Sequence, residues 1–327
     1  MSITARRLRE DEFGLWDAFT EAAPGGTIFH STRWLNLIDK HIEIIAVVDE
    51  AVIKAGVALV KTKKNGVNGY HIPPYTQYFS PLYYVAHNRK HSLTEEHDCI
   101  KAILDLLKPA KHLDFKLPRG HQSILPYHWK GFDTSVTITY TLEGSLENYL
   151  QELNKNKARE LKKLLQLVEE GSLIIEQEVK ENDLLELLNH TTERKKFDAR
   201  SGMVTSLVMN SKDSFAKKYL IRSKEHGLLA FGFFPYDGKA VYNLVNASAR
   251  VNDPVLKTVN LLLLYQAIVF ALNTGRKFDF EGSMLQGVEA FCRLMGGKQE
   301  PIYRVQKSAS LRYSLLRAAN QVRNDRK

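Results

Sequence analysis

Cysteine is nearly absent from this sequence: Cys99 and Cys292 are the only two in 327 residues. They stand far apart and form no Cys-x-x-Cys pair, which speaks against structural zinc and against a disulfide-stapled fold. Two reduced, half-buried thiols are the expectation. No apolar run is long and pure enough for a membrane span. The most apolar stretch, 255–272, is interrupted by Lys257, Thr258, Asn260 and Gln266 and reads as a buried helix. The opening Met-Ser-Ile-Thr-Ala-Arg-Arg-Leu-Arg lacks the apolar core of a secretory signal, so a soluble, cytoplasmic chain is expected. There is no Walker-type loop and no Gly-x-Ser-x-Gly elbow, which argues against a P-loop NTPase and a serine hydrolase. The eleven histidines are read as forming no ligand set, so no metal is expected.

What is there is a globular balance: 44% hydrophobic and 25% charged residues, in a length that suits about two domains. The formal net charge of +9 is concentrated rather than spread. From Tyr303 to Lys327, the cations Arg304, Lys307, Arg312, Arg317, Arg323, Arg326 and Lys327 face Asp325 alone. A second cluster is Lys155, Lys157, Arg159, Lys162 and Lys163, opposed by Glu152 and Glu160. Such clusters attract phosphates, nucleic acid or anionic lipid head groups. The plainer reading is a solvated helix face and a frayed basic tail.

The two halves of the chain echo each other. Residues 103–115 and 268–280 both end an apolar helix, break, and enter a strand carrying Asp-Phe, as Asp114-Phe115 and Asp279-Phe280. Upstream, Ile44–Val48 and Val52–Val60 flank Asp49-Glu50-Ala51, a hairpin signal. In the second half, 228–234 and 240–247 flank Pro235-Tyr236-Asp237-Gly238-Lys239, a strong turn signal. Each hairpin is preceded by an expected helix, 33–40 and 212–224. The first apolar helix opens with Ser92-Leu-Thr-Glu95, a capping-box pattern.

Between the halves, 145–170 reads as one amphipathic helix with a basic outer face, ended by Gly171. The boundary is placed just before it, giving domains 1–143 and 144–327, the latter closed by a basic C-terminal helix. The fold class is α/β (α+β), mixed sheets covered by helices. A Pro-rich aromatic segment, 71–81, is expected as a loop or edge, with Tyr75 and Gln77 as substrate-binding candidates. Its other reading is a cover over the core.

The stretch Phe278-Asp-Phe-Glu-Gly-Ser-Met-Leu-Gln-Gly-Val-Glu-Ala-Phe-Cys-Arg-Leu-Met-Gly-Gly297 resembles a pattern of the Fem-like branch of the GNAT N-acyltransferases. So do 298–306 with Pro301, Tyr303 and Arg304, Phe29-His-Ser-Thr-Arg-Trp-Leu35, and Asn154-Lys-Asn-Lys-Ala-Arg159. The resemblance implies two GNAT-like units in tandem and transfer of an acyl or aminoacyl group to an amine. Fem proteins take aminoacyl-tRNA and extend the peptide of a cell-wall precursor; their relatives are thought to use acyl-CoA on envelope or polysaccharide amines. No tightly bound cofactor is implied. There are two departures. GNAT enzymes usually cradle the CoA pyrophosphate with a glycine-rich loop at a helix N-terminus, whereas Ser248-Ala-Arg-Val-Asn-Asp-Pro254 has no glycine. The long two-helix arm of one Fem subgroup has no counterpart beyond the single helix at 145–170.

Amide formation needs a deprotonated amine, a polarised carbonyl and alignment of the two. Glu281, at the end of the second Asp-Phe strand and on the same face as Asp279 two residues earlier, is the candidate base. Its plainer role is a local cap or ion pair. Tyr303 is a second candidate, as proton donor to the leaving group. Lys155, Lys157 and Arg159 are candidate phosphate binders. Arg293 is another, although it stands four residues from Glu289 and is expected to pair with it. Three readings stay open: a Fem-like aminoacyltransferase acting on a cell-wall or envelope precursor, an acyl-CoA-dependent N-acetyltransferase acting on a polysaccharide or other amine, and a non-catalytic module binding tRNA or another anion. Oligomeric state is not readable.

Overall fold

The computed structural model describes residues 3–39, 41–64, 66–84, 90, 92–120, 123–195, 201–282 and 284–309. The chain divides into two compact units, Ile138–Glu300 and the remainder, Met1–Thr137 with the chain from Pro301 on. The split falls a few residues before the 143/144 boundary read from the sequence, and it gives the chain from 301 on to the first unit. The tail cations Arg312, Arg317, Arg323, Arg326 and Lys327, and the helix expected to carry them, lie outside the described residues.

The first unit runs β1 (Ala5–Arg7), α1 (Phe13–Ala22), α2 (Thr32–Ile38), β2 (Ile42–Asp49), β3 (Val52–Val60), β4 (Thr62–Lys64), β5 (Val67–Gly69), β6 (Leu82–Tyr83), α3 (Leu93–Leu106), β7 (His112–Lys116) and α4 (Leu125–Trp129). An antiparallel sheet of order β1-β2-β3-β6 is its main layer. The hairpin β2–β3 turns at Glu50 and Ala51, both with positive φ (48° and 65°), the conformation that matches the twist of paired strands. Ile45, Val57 and Leu59 of the sheet bury against Ile100 and Ile103 of α3 and Phe115 of β7. Ser92 caps α3 by accepting from the Glu95 amide (3.3 Å). The Glu95 carboxylate instead takes Lys54 (2.8 Å) and the Tyr83 hydroxyl (3.3 Å), so only half of the expected box forms.

β8 (Asp133–Leu142) leads into the second unit. There follow α5 (Leu146–Glu152), α6 (Lys155–Glu169), β9 (Leu173–Glu176), α7 (Glu181–Lys195), α8 (Ser201–Asn210), β10 (Ala216–Ser223), β11 (Gly227–Pro235), β12 (Ala240–Tyr242), β13 (Val245–Ser248), α9 (Asn260–Asn273), β14 (Lys277–Asp279) and α10 (Gln286–Leu294). β15 (Lys298–Ser308) returns the chain to the first unit, where its second half pairs with β7. α9 is the buried helix read from the sequence; its leucines 261–264, Ala267 and Ile268 are all buried.

Three sequence expectations are corrected here. Residues 145–170 form two helices, because Leu153 is extended and the Asn154 side chain caps a new start, accepting from the amides of Asn156 (3.0 Å) and Lys157 (3.4 Å). Gly171 ends the second in the left-handed region (φ 68°), as read. The expected helix at 212–224 is mostly strand β10, paired antiparallel with both β9 and β11. A bulge between Ile221 and Arg222 breaks its alternation, which hides the strand period in the sequence. The two thiols are fully rather than half buried; burial pushes Cys99 up to about 12 and Cys292 up to about 11, so both are protonated at neutral pH.

Candidate active site

In the second unit, β12 and β14 run parallel through Ala240↔Lys277, Val241↔Phe278 and Tyr242↔Asp279. The Asn243 amide adds one further bond to the Asp279 carbonyl (2.9 Å). There the two strands part. On one side, Leu244 donates to the Phe233 carbonyl (3.3 Å) and β13 pairs with β11. On the other, β14 pairs with β8, and the Phe280 amide donates to the Tyr140 carbonyl (2.9 Å). The parallel pair thus opens into a fork at its carboxyl end, the place where open α/β sheets bind ligands.

One arm of the fork is held from below. The Ala249 amide donates to the Leu229 carbonyl (2.8 Å). Antiparallel alternation then turns the backbone groups of Ser248 and Asn246 away from β11. Those of Ser248 meet Thr191, which accepts from its amide (3.0 Å) and donates to its carbonyl (3.4 Å). The Ser248 hydroxyl accepts from the Asn260 Nδ2 (3.3 Å). Asn246 donates through Nδ2 to Asn243, and its own Oδ1 is buried without a partner. Beyond Ser248 the glycine-free loop lines a half-open pocket of about 240 Å³ reaching to Asn260, with Arg250 and Lys257 in its wall. In place of glycines, Asp253 builds the turn. Its Oδ1 accepts from the amides of Leu256 and Val255 (2.8 Å each), which lowers its pKa, the Leu256 bond contributing most.

The other arm carries the Asp-Phe-Glu-Gly motif. Asp279 is fully buried, and its Oδ1 accepts from the Thr139 hydroxyl (2.6 Å) and the Glu281 amide (2.9 Å). Glu281 is half-buried with φ 57°, a conformation that non-glycine residues rarely hold. The strand ends at Asp279, so its alternation does not continue to Glu281, and the shared face expected of the two does not arise. Gly282 (φ 37°) lies against β8: a Cβ there would stand 2.2 Å from the Ile138 carbonyl oxygen. Gly296 (φ 83°) ends α10, and a Cβ on Gly297 would meet the Cys292 carbonyl oxygen at 2.9 Å. Gly282 and Gly297 therefore allow close backbone approach, the first at the Glu281 turn and the second at the end of α10, whereas a Cβ on Gly287 would meet nothing within 4 Å.

Of the remaining candidates, Lys155, Lys157, Arg159 and Arg293 belong to the second unit, and Tyr75, Gln77 and Tyr303 to the first. Lys155 and Arg159 are exposed on α6. Lys157 pairs with Glu160 (2.7 Å) and lies 5.8 Å from the Phe291 ring centroid. Arg293 donates to Glu289 (3.1 Å), the pair expected from their spacing, and the Tyr140 hydroxyl donates to the same oxygen (2.8 Å). Tyr303 belongs to the first unit, half-buried against its core. So do Tyr75 (φ 55°) and Gln77, whose Oε1 accepts from Lys116 (2.7 Å). Here the chain beside β7 leaves after Tyr70 and returns at Phe79, which exchanges both backbone bonds with Lys116 (3.0 and 2.9 Å). The gap that stays open in the second unit is thereby closed, and Tyr78 and Phe79 are buried, the core-cover reading of this loop. Thr139, Asn243 and Asn246 carried no sequence signal, and the missing glycines pointed only to the loop between Ser248 and α9. Against the expectation of no His-x-x-x-His set, His87 and His91 stand four apart; they lie outside the described residues, among which no group of three or more His, Cys, Asp or Glu could hold a metal. No helix among the described residues is long and apolar enough to cross a membrane.

No protein-family model matches the chain, and no curated protein matches it in sequence. Solved structures do. FemX superposes with a TM-score of 0.68 at 14% identity, covering 91% of this chain and 96% of its own. The C-terminal domain of a putative lysylphosphatidylglycerol synthetase from Agrobacterium fabrum gives 0.57 at 10% identity, covering 94% and 96%. A tandem GNAT protein from the clavulanic acid biosynthesis pathway gives 0.51 at 10%, covering 94% and 99%. The chain therefore has the fold of two tandem GNAT-like units that it shares with FemX.

Proposed function

We propose that this chain is an N-acyltransferase whose donor occupies the fork of the second unit and whose Glu281 takes the proton of the attacking amine. The observation that carries the reading is the parting of β12 and β14 after Asn243 and Asp279, with Glu281 fixed at the opening. An acyl group entering the fork would lie along the arm toward which the Asn246 backbone turns, so an amide there can polarise its carbonyl. The amine nitrogen then bonds to the carbonyl carbon, its proton passes to the Glu281 carboxylate, and the C–S or C–O bond to the donor breaks, the departing sulfur or oxygen taking up that proton to leave as a thiol or hydroxyl. Arg250 and Lys257, in the wall of the pocket before α9, would meet a phosphate of the donor. The first unit, its gap closed by Phe79, would serve as scaffold.

The Fem resemblance favours an aminoacyl donor carried on tRNA and an amine on a cell-wall or envelope precursor. The pocket beside Arg250 and Lys257 favours a second reading, an acyl-CoA donor. A thermal-shift titration with acetyl-CoA, CoA and total aminoacyl-tRNA separates them. A native-state ligand adds about 2.7 kcal/mol at a hundredfold excess over its Kd. A shift with CoA species alone supports the second reading, and a salt-sensitive shift with aminoacyl-tRNA supports the first. Glu281→Gln should then lower turnover at least about tenfold without altering the circular dichroism; near-normal turnover would remove Glu281 as base.

A further inference from the structure

We infer that the Pro-rich segment 71–81 of the first unit is a strap that acid releases, and that the stack of His71 on His112 is its latch. Tyr70 runs beside β7, donating to the His112 carbonyl (2.9 Å) and accepting from the Asp114 amide (3.0 Å). The chain then leaves β7 over 71–78 and returns at Phe79. His71 stands at the point of departure. Its ring lies on that of His112, with centroids 4.2 Å apart and planes 19° from parallel. The two residues are 3% and 1% exposed. The His71 Nε2 donates to the Val67 carbonyl (3.3 Å), so the ring is fixed from the hairpin β4–β5 as well. Further along the strap, Trp34 of α2 donates to the Thr76 hydroxyl (3.3 Å) and Lys116 to Gln77 (2.7 Å).

Two neutral imidazoles can stack out of water, but two imidazolium ions at this distance repel, and each has lost its hydration. The groups around the pair do not relieve that charge. His112, Asp114 and Lys116 alternate away from the core side of β7, where Leu113 and Phe115 lie. Ser308, Gln306 and Arg304 of β15 stand directly opposite them. The one carboxylate of this set, Asp114, is taken by Arg304, and Lys116 adds a further cation. Glu43 is held by the Tyr70 hydroxyl (2.7 Å) and by Arg7. On the hairpin, Lys63 stands opposite Asn68, and both are exposed, whereas Val67 and Gly69 are buried. Arg33, the one charge of α2, is exposed. His30 follows Phe29, which packs on Tyr78 of the strap (6.2 Å between centroids), and the Thr27 hydroxyl bonds to its Nδ1 (2.8 Å). The strap itself carries no carboxylate. Imidazoles in water take up protons near pH 6.5, and the closed stack excludes them. Closure is therefore fully favoured above about pH 6.5 and loses ground as pH falls below it. Release would free the backbone groups of Lys116 and uncover the gap that Phe79 closes. The inference does not depend on the proposed activity.

Amide hydrogen exchange of the full chain, read by mass spectrometry from pH 7 down to pH 5 and corrected for the chemical exchange rate, tests it. Protection of the peptide covering 71–81 should fall by up to about a hundredfold per pH unit below about 6.5, tenfold for each of two protons, while α9 keeps its protection. His71→Gln combined with His112→Gln removes both protons and should hold the strap at its neutral-pH protection throughout. His71→Gln alone should reduce the fall to about tenfold per pH unit, and it serves if the double variant does not fold. Protection of the strap that stays constant across this range overturns the inference. So does a fall that α9 shares, a fall that His71→Gln leaves unchanged, or one that His30→Gln abolishes.

Discussion

Thr139 and Asp279, 140 positions apart, meet through a 2.6 Å hydrogen bond from the hydroxyl to Oδ1, the oxygen that also accepts from the Glu281 amide. One buried carboxylate oxygen thus joins β8, the end of β14 and the turn that presents Glu281. Hydrogen bonds to a charged group contribute about 1.5–3 kcal/mol. Thr139→Val, which keeps the shape and removes the donor, should destabilise by about 2 kcal/mol. Asp279→Ala should cost more, since it strands a buried hydroxyl and an amide. Both should appear as lower urea midpoints at unchanged slope. A midpoint unmoved by Thr139→Val would mean that the turn is held by something else.

The left-handed backbone of Glu281 gives a second prediction, built on a pair of variants. Glu281→Ala removes the carboxylate and keeps a side chain at φ 57°. Glu281→Gly removes both. Strain at such a position is about 1–2 kcal/mol for a residue with a Cβ, so the glycine variant should be more stable than the alanine variant by about 1 kcal/mol, although both should be inactive. A site that keeps a strained residue despite this gain is trading stability for the position of a functional group. Equal stabilities would show that the strain is absent.

The local grammar of the chain was readable and its long-range pairing was not. The turn at Glu50-Ala51, the stop at Gly171, the buried α9 and the Asp-Phe echo each rest on residues close in sequence. The break at Leu153-Asn154 was missed because leucines continue on both sides of it, and only the Asn154 cap decides the matter. β10 was missed because its bulge scrambles the alternation. The fork could not be read at all. It depends on one continuous apolar segment, 240–248, changing its hydrogen-bonding partner from β14 to β11 midway, and both partners lie far off in sequence. The Asp-Phe echo also concealed a difference: Asp279 accepts from a hydroxyl and an amide, whereas Asp114 is paired with an arginine.

That arginine supplies the third prediction. Asp114 is 2% exposed and takes both Nε (2.8 Å) and Nη2 (2.6 Å) of Arg304, a bidentate pair linking β7 to β15. Breaking such a pair from one side leaves a buried charge without its partner, at about 3–5 kcal/mol. Arg304→Met should approach the lower figure, because its own side chain is partly exposed. Asp114→Leu combined with Arg304→Met should recover most of the loss, since well-packed apolar replacements are often neutral. A double variant as unstable as the sum of the singles would mean that the two side chains act independently.

The last prediction concerns acid. Glu289 is held below the usual carboxylate range, first by the Tyr140 hydroxyl and then by Arg293. A carboxyl with a depressed pKa in the folded chain binds its proton later than in the unfolded chain. Its stabilisation is therefore present above the unfolded value of about 4.3 and lost as pH falls through the lowered folded value. Glu289→Gln should accordingly melt below the unchanged protein at pH 7, and the two melting temperatures should converge as pH is lowered past 4.3 or so. The hydroxyl bond can survive in the glutamine variant, so the part that converges reports the charge alone. A gap that stays constant from pH 7 down to the acid limb would assign the effect to packing of the side chain at the start of α10 and leave no share for its ionisation.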